Sequence, residues 1–203
     1  MIQKSLISRF SMLLVMGAIF CLPNFSSTSL GQSQGSMRVY FSPKGGAEEA
    51  IIKEIRKSKK EILVAIFQFT SRPIGTALVQ AKSRGVKVVV LVDGKNKNVS
   101  YSQIPYLVKK GIEVRYVYPK SSSFDSRTAK FHHKYMIIDQ KEVLTGSFNY
   151  TRAADQINHE NLLVIYSKKL AKAYRKNFVS IYNNKKITKT GSSRFKPSYG
   201  RVK

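Results

Sequence analysis

The stretch FHHKYMIIDQKEVLTGSFNY, residues 131–150, decides both the fold and the chemistry of this chain. Two largely apolar runs flank Gln140-Lys141, and such a tight polar connection predicts a β-hairpin. The predicted strands cover residues 131–139 and 142–150. Side chains alternate between the two faces of a strand, so every second residue of each run points the same way. The hairpin therefore specifies which polar groups meet.

Four polar side chains of this hairpin form a set suited to phosphate chemistry. His132 and Lys134 share one face of the first strand, and Ser147 and Asn149 share one face of the second. An imidazole can act as a nucleophile or as an acid near neutral pH. Lysine and asparagine can bind phosphate oxygens, and Gly146 lets backbone approach an anion closely. Ser147 is equally compatible with a purely local turn role.

Strands and helices alternate upstream of the hairpin. The apolar patterns predict strands at 37–42, 62–67, 86–92 and 112–118, and helices at 47–58, 71–85 and 102–110. A further strand at 160–166 and an amphipathic helix at 168–183 follow the hairpin. This order predicts an α/β fold with a mixed, largely parallel sheet flanked by helices on both faces.

The two ends of the chain differ from its middle. A short basic start and the apolar run at 10–22 predict a secretory signal peptide over residues 1–31, and hence a secreted or periplasmic protein. An uncleaved membrane anchor is the alternative, which N-terminal sequencing of the exported protein would reveal. Residues 32–184 form the predicted catalytic domain. Residues 185–203 contain seven Lys or Arg and no acid, which predicts a flexible basic tail.

Charge restricts the partners of this chain. Its 203 residues include 36 Lys and Arg against 11 Asp and Glu, a formal net charge of +25. Such a surface favours a polyanion, either nucleic acid or an anionic membrane. A single cysteine excludes an internal disulfide framework and a cysteine-rich zinc site. The sequence contains no Trp, and no stripe of aromatic residues suited to lipid insertion.

The polar residues of the hairpin follow the pattern H-x-K-x4-D-x6-G-S-x-N from His132 to Asn149. This pattern resembles the signature motif of the phospholipase D superfamily, with every spacing kept. The chain from about 38 to 183 is similar to the small bacterial endonucleases of that superfamily, which carry one copy of the motif. The resemblance implies a phospholipase D-like domain that cleaves phosphodiesters in two steps, without metal or another cofactor.

The resemblance also implies a role for each matching residue. His132 is the catalytic histidine, and Glu160 is the carboxylate that orients it. The remaining members are the phosphate ligands Lys134, Ser147 and Asn149, and Asp139, a structural member of the motif that alternation turns away from the His132 face. Glu160 is equally compatible with an ordinary acid on an edge strand. His133 and His159 receive no role.

These observations predict a metal-independent, nonspecific endonuclease that cleaves DNA, with RNA left open, through a phosphohistidine intermediate. A lipid phosphodiesterase of the phospholipase D or cardiolipin type is the alternative. A nucleic-acid-binding uptake protein with an idle hydrolytic site is a second one, against which the intact motif argues. The family mechanism needs two motif histidines, and this chain has one motif. We therefore expect a homodimer with one composite active site.

Overall fold

The computed structural model describes residues 36–120 and 129–191. The predicted signal peptide at 1–31, residues 121–128 of the loop before the hairpin, and residues 192–203 of the predicted tail lie outside the described residues. Within the described ranges, no helix combines the length and the apolar character needed to cross a membrane.

Eight strands and five α-helices make up the described domain. The strands are β1 (Met37–Ser42), β2 (Glu61–Ile66), β3 (Lys87–Asp93), β4 (Glu113–Val117), β5 (Lys134–Ile138), β6 (Glu142–Gly146), β7 (Glu160–Tyr166) and β8 (Thr188–Thr190). The helices are α1 (Ala47–Lys57), α2 (Arg72–Ser83), α3 (Ile104–Lys109), α4 (Arg152–Gln156) and α5 (Lys168–Asn183), with a 3-10 helix at Gly94–Asn98. The 3-10 helix, α4 and β8 are additions to the predicted elements.

All eight strands form one mixed sheet in the order β1-β7-β6-β5-β2-β3-β4-β8. The prediction of a mixed sheet is confirmed, but the prediction that it is largely parallel is wrong. Only the pairs β2–β3 and β3–β4 are parallel among the pairings of the described strands. The hairpin of β5 and β6, followed by β7, inserts three antiparallel strands between β1 and β2. As a result, β1 runs in the same direction as β2 without touching it.

Helices cover both faces of the sheet, as predicted. The helices α1, α2 and α3 bury their apolar side chains in the larger core, on one face. On the other face, α5 packs against β2, β5 and β6 and closes a smaller core. The apolar runs of β2 and β3 are buried from both sides, which explains why they lack alternation.

No described helix covers the part of the second face beyond α5. Met37, Val39 and Phe41 project from this side of the edge strand β1 and are 63%, 53% and 63% exposed. We call these three residues the β1 apolar strip. Alternate residues of β1 point to the larger core, where Tyr40 packs. A row of exposed apolar side chains of this kind is typical of an interaction surface.

The sheet takes up the first part of the predicted basic tail. Strand β8 pairs antiparallel with β4, and the backbone N–H of Tyr118 donates to the carbonyl of Ile187. The folded domain therefore extends past the predicted boundary at residue 184. A truncation designed to remove only the basic tail has to begin after Gly191.

Candidate active site

The predicted chemical groups lie together where several strands of the sheet end or begin, and we call this side the active-site edge. β2 and β3 end at this edge, and β5 begins there with Lys134. β6 ends there with Gly146, and β7 begins there with Glu160. His132 lies two residues before β5 and is exposed. Residues contributed by five chain segments thus converge, although the predicted strand at 131–139 is shorter in the structure.

His132 and Lys134 contact each other directly. Lys134 Nζ lies 2.9 Å from His132 Nδ1 and also donates to the His132 carbonyl, at 3.0 Å. An ammonium group has only donors, so Nδ1 is the acceptor in this contact and the ring proton is carried by Nε2. In this arrangement the imidazole is neutral, and its Nε2–H can donate a hydrogen bond. Attack on phosphorus through Nε2 requires that Nδ1 exchange this contact for a proton.

Phe67, which the sequence patterns place in a buried strand, is the aromatic support of this pair. Its ring centroid lies 4.5 Å from that of His132, and Lys134 Nζ lies 5.1 Å from the same ring. The second contact has the distance of a cation–π interaction. Phe67 directly follows β2, whose last residue Ile66 pairs with Lys134. The position of a residue just past the end of a buried strand is the signal that would have identified it.

Burial and neighbouring cations set the charge of the pair. Burial, followed by the positive charges of Lys134 and Lys130, lowers the pKa of His132, and Asp93 opposes this shift. The lowered pKa favours the neutral imidazole near neutral pH. Burial also lowers the pKa of Lys134; the Glu160 carboxylate counteracts this, while Lys130 adds to it.

Ser147 and Asn149 lie just past the end of a strand and not within one as predicted, because β6 ends at Gly146. Alternation nevertheless persists, since Phe148 is buried in the larger core and Ser147 and Asn149 are half-buried. The Ser147 hydroxyl accepts hydrogen bonds from the backbone N–H of Asn161, at 3.1 Å, and from its amide, at 3.4 Å. The buried Oδ1 of Asn149 has no hydrogen-bond partner among the described residues. Ser147 thus keeps its hydroxyl proton for donation to a ligand.

Gly146 has a packing function that the sequence did not indicate, and its predicted role beside an anion stays a prediction. A Cβ at this position would lie 2.2 Å from the backbone oxygen of Asn161. The same oxygen accepts hydrogen bonds from the backbone N–H groups of Ser147 and Phe148. The glycine therefore lets β7 approach β6 closely enough for Asn161 to hold Ser147 in place. Asn161 was not singled out from the sequence, where only its place beside Glu160 pointed to it.

Glu160 lies on the same edge, at the start of β7, and is half-buried. Its carboxylate accepts a hydrogen bond from the Asn158 amide at 3.3 Å. Its charge also favours the ammonium form of Lys134 and so offsets part of the lowering of that group's pKa by burial. These contacts connect Glu160 with the phosphate-binding lysine, and its predicted role in orienting His132 stays a prediction.

Glu160→Gln is expected to move the alkaline loss of activity to lower pH. The carboxylate raises the Lys134 pKa, so its removal lowers that pKa further and the ammonium loses its proton at a lower pH. We also expect turnover near neutral pH to fall by about tenfold, because an orienting charge is lost while the nucleophile remains. The measurement is the pH profile of kcat/KM with a soluble phosphodiester.

Glu49→Gln is the matched control, because Glu49 is an exposed carboxylate on α1 and is not one of the residues of the site. The control should reproduce the wild-type profile. If Glu160→Gln also does so, Glu160 is an ordinary acid of the strand and takes no part in the reaction.

Asp139 lies at the opposite end of the hairpin, about 17 Å along β5 from Lys134. It occupies the two-residue turn with Gln140, where φ is 50° and 56°. Its carboxylate accepts backbone N–H groups from Lys59, Lys60 and Glu61, at 2.8–3.0 Å for the shortest contact of each. These bonds lower its pKa against the effect of burial. The carboxylate thus joins the turn to the start of β2, which is a structural role.

The other two histidines, His133 and His159, take no part in the contact between His132 and Lys134. His133 packs between the rings of Phe131 and Tyr135, at 5.1 Å and 5.3 Å between centroids. His159 is exposed and precedes β7. Within the described residues, no group of three or more His, Cys, Asp and Glu side chains is arranged to hold a metal ion.

A buried hydrogen-bond network that was not predicted from the sequence holds the backbone around the site. Asp93, at the end of β3, accepts the backbone N–H of Lys95 at 2.9 Å and that of Phe131 at 2.7 Å. The Asn96 amide donates to the Phe67 carbonyl, and its oxygen accepts the N–H of Phe69 at 3.2 Å. Both Asp93 and Asn96 are buried. Together they fix the backbone on either side of the His132–Lys134 pair.

Comparison with known families gives a match over most of this domain. A family model described as "Cardiolipin synthase, PLD-like domain" matches residues 51–182. That range includes every residue of the site described above. A relative from Rickettsia prowazekii, named phospholipase D, is 34% identical over 148 residues, which are 73% of this chain and 68% of the relative.

Two solved structures share the fold. Nuc from Salmonella typhimurium, described as a phospholipase D family member, has 31% identity and a TM-score of 0.69. The match covers 78% of this chain and 99% of Nuc. NucT from Helicobacter pylori has 26% identity and a TM-score of 0.69, over 73% of this chain and 96% of NucT. Each of these chains is thus matched over nearly its full length by one domain.

Proposed function

This chain belongs to the phospholipase D-like family of phosphodiester hydrolases, and on that premise we propose that it is a nonspecific endonuclease that acts on DNA, and also on RNA, without a metal ion. The observation that carries the choice of substrate is the charge of +25, which favours a phosphate polymer. Affinity of this origin comes from counterion release and needs no reading of sequence.

The basic face of α5 supports this choice. Five cationic side chains project from this helix: Lys168, Lys169, Lys172, Arg175 and Lys176. Arg175 is engaged by Glu61 at 3.3 Å, and the four lysines are exposed. Ala173 of the same helix lines the cavity next to His132 and Lys134. A strand bound along α5 would therefore pass from the lysines to the reacting pair.

The proposed reaction proceeds in two displacements. A phosphate oxygen draws Lys134 Nζ away from His132 Nδ1, which then takes up the ring proton and frees Nε2. Nε2 attacks phosphorus, the bond to the leaving oxygen breaks, and a second histidine, protonated on both ring nitrogens, gives that oxygen a proton. Water then loses a proton to the second histidine and attacks phosphorus, and the bond from phosphorus to Nε2 breaks. The products are a phosphomonoester and a free hydroxyl, with both histidines restored.

The second histidine is proposed to be His132 of another copy of this chain. The neighbouring His133 packs between the rings of Phe131 and Tyr135, and His159 lacks a lysine two residues on. The β1 apolar strip is the surface we expect the other subunit to cover. The strip reaches the active-site edge, because Phe41 pairs with Asn161, which holds Ser147. A two-fold axis near this edge would place two His132 side chains on either side of one phosphate.

The experiment that tests the substrate class is incubation of the protein in EDTA with plasmid DNA, single-stranded DNA, RNA and cardiolipin vesicles. We expect cleavage of the nucleic acids in EDTA. Activity that is lost in EDTA and restored by a divalent ion would contradict the mechanism. Cleavage of cardiolipin alone would contradict the substrate class.

The lipid alternative rests on the name of the Rickettsia relative, phospholipase D. A protein with an idle site that only binds nucleic acid is the remaining alternative, and it would leave every substrate of the panel intact. We further propose export of the protein, on the basis of the sequence of residues 1–31.

A further inference from the structure

A cavity of about 450 Å³ lies beside the reacting pair, between the β5–β6 hairpin and α5. His132 and Lys134 form one end of it. The other lining residues used here are His133, Tyr135, Thr145, Ala173, Tyr174 and Asn177. We call this the aromatic cavity. It lies within the size range of protein sites for small ligands.

Interlocking rings hold the cavity walls in position. The ring of Tyr135 is 5.3 Å from that of His133 and 4.9 Å from that of Tyr174, in edge-to-face arrangements. The Tyr135 hydroxyl donates to Asn177 Oδ1 at 2.9 Å, and the Tyr174 hydroxyl donates to Thr145 Oγ1 at 3.4 Å. Each tyrosine is thus tied to a neighbouring element, so the cavity exists before any ligand binds.

The chemistry of the walls selects a flat, polar and uncharged group. No carboxylate is among the described residues that line the cavity, so a cationic headgroup finds no counter-ion. An acyl chain would offer no acceptor to the NH₂ group of Asn177. The Asn177 NH₂ group provides two donors, and the rings provide faces and edges for stacking.

Resting on the proposed nuclease function, we propose that the aromatic cavity binds the nucleobase of the nucleotide adjoining the cleaved phosphate. Its end at His132 and Lys134 places a bound base next to the phosphate that these residues engage. Stacking on aromatic side chains tolerates any base, which is consistent with nonspecific cleavage. The cavity would thus determine which phosphodiester linkage lies at His132. The lysines of α5 alone cannot do so, because phosphate contacts do not fix one linkage over its neighbours.

The test uses a single-stranded DNA that contains one stable tetrahydrofuran abasic nucleotide. Mapping the products gives the amount of cleavage at each phosphodiester linkage, and the other linkages of the same strand serve as the internal control. We expect wild-type protein to spare the linkage on one side of the abasic nucleotide by about tenfold, the loss typical of one stacked base. Equal cleavage at all linkages would overturn the proposal.

Ala173→Phe fills the cavity from the exposed side of α5 and is expected to cut more slowly and to lose this discrimination. Ala153→Phe makes the same change on the exposed side of α4, outside the cavity, and should keep it. Thermal unfolding of both variants checks that they fold. A filled cavity with unchanged sparing would also overturn the proposal. Absence of DNA cleavage by the wild type, with cardiolipin cleaved, would instead contradict the nuclease function itself.

Discussion

His132→Ala is expected to reduce phosphodiester cleavage by at least about a thousandfold, because the variant lacks the group that forms the covalent intermediate. Affinity for DNA should stay close to that of the wild type, since it is spread over many cations. Single-turnover cleavage in EDTA measures the first quantity. Fluorescence anisotropy at several salt concentrations measures the second.

His159→Ala is the matched control for this variant. His159 is exposed, lies at the same edge of the sheet and has no assigned role, so its removal should leave most of the activity. A His132→Ala protein that cuts at the normal rate would exclude His132 from the mechanism. Loss of activity in His159→Ala alone would identify that residue as the histidine to examine next.

The second large effect is expected when the two subunits are separated. Val39→Lys places a charge in the middle of the β1 apolar strip, where Val39 is 53% exposed. We expect a monomer by light scattering that binds DNA and cuts it at least about a hundredfold more slowly, because one chain supplies one His132. Tyr166→Lys is the control. Tyr166 lies on β7, the strand that pairs with β1, and is exposed, but it points to the opposite face of the sheet.

Mixing separates a composite site from two independent ones. After exchange of subunits between equal amounts of wild type and His132→Ala, a shared site is intact only in wild-type pairs, which are about one quarter of the dimers. Independent sites would leave about one half of the activity. A fully active Val39→Lys monomer, or retention of half the activity after mixing, would contradict the composite site.

Local signals were sufficient to predict most of the elements. The bounds of β1, β7 and α5 agree with the predicted 37–42, 160–166 and 168–183. Helix α2 begins after Ser71, whose hydroxyl accepts the N–H of Ile74 as an N-terminal cap, as its sequence predicted. In each case the information lies within the segment itself, in apolar spacing or in a capping side chain.

Strand order was not predictable in the same way. The alternation of strands and helices indicates crossovers, but it does not tell where a later hairpin inserts. β5 pairs with β2 across a long stretch of sequence, and no pattern in either strand specifies that pairing. The assumption that neighbours in the sequence are neighbours in the sheet therefore gave too many parallel pairs.

The site was predictable where it rests on spacing and less so where it rests on tertiary contacts. His132 and Lys134 meet because one residue separates them near a strand start. The contact of Phe67 with both of them depends on β2 lying beside β5, which is a consequence of the sheet order. The hold of Asn161 on Ser147 likewise depends on the close approach of β7 at Gly146.

The two oxygens of the Asp93 carboxylate have a consequence for how such a domain evolves. One oxygen fixes the chain that leaves β3, and the other fixes the chain that arrives at His132. The arriving segment is thereby anchored at Phe131. We expect changes of length in the chain before Phe131 to leave the His132–Lys134 pair in place, because the anchor lies between such a change and the pair.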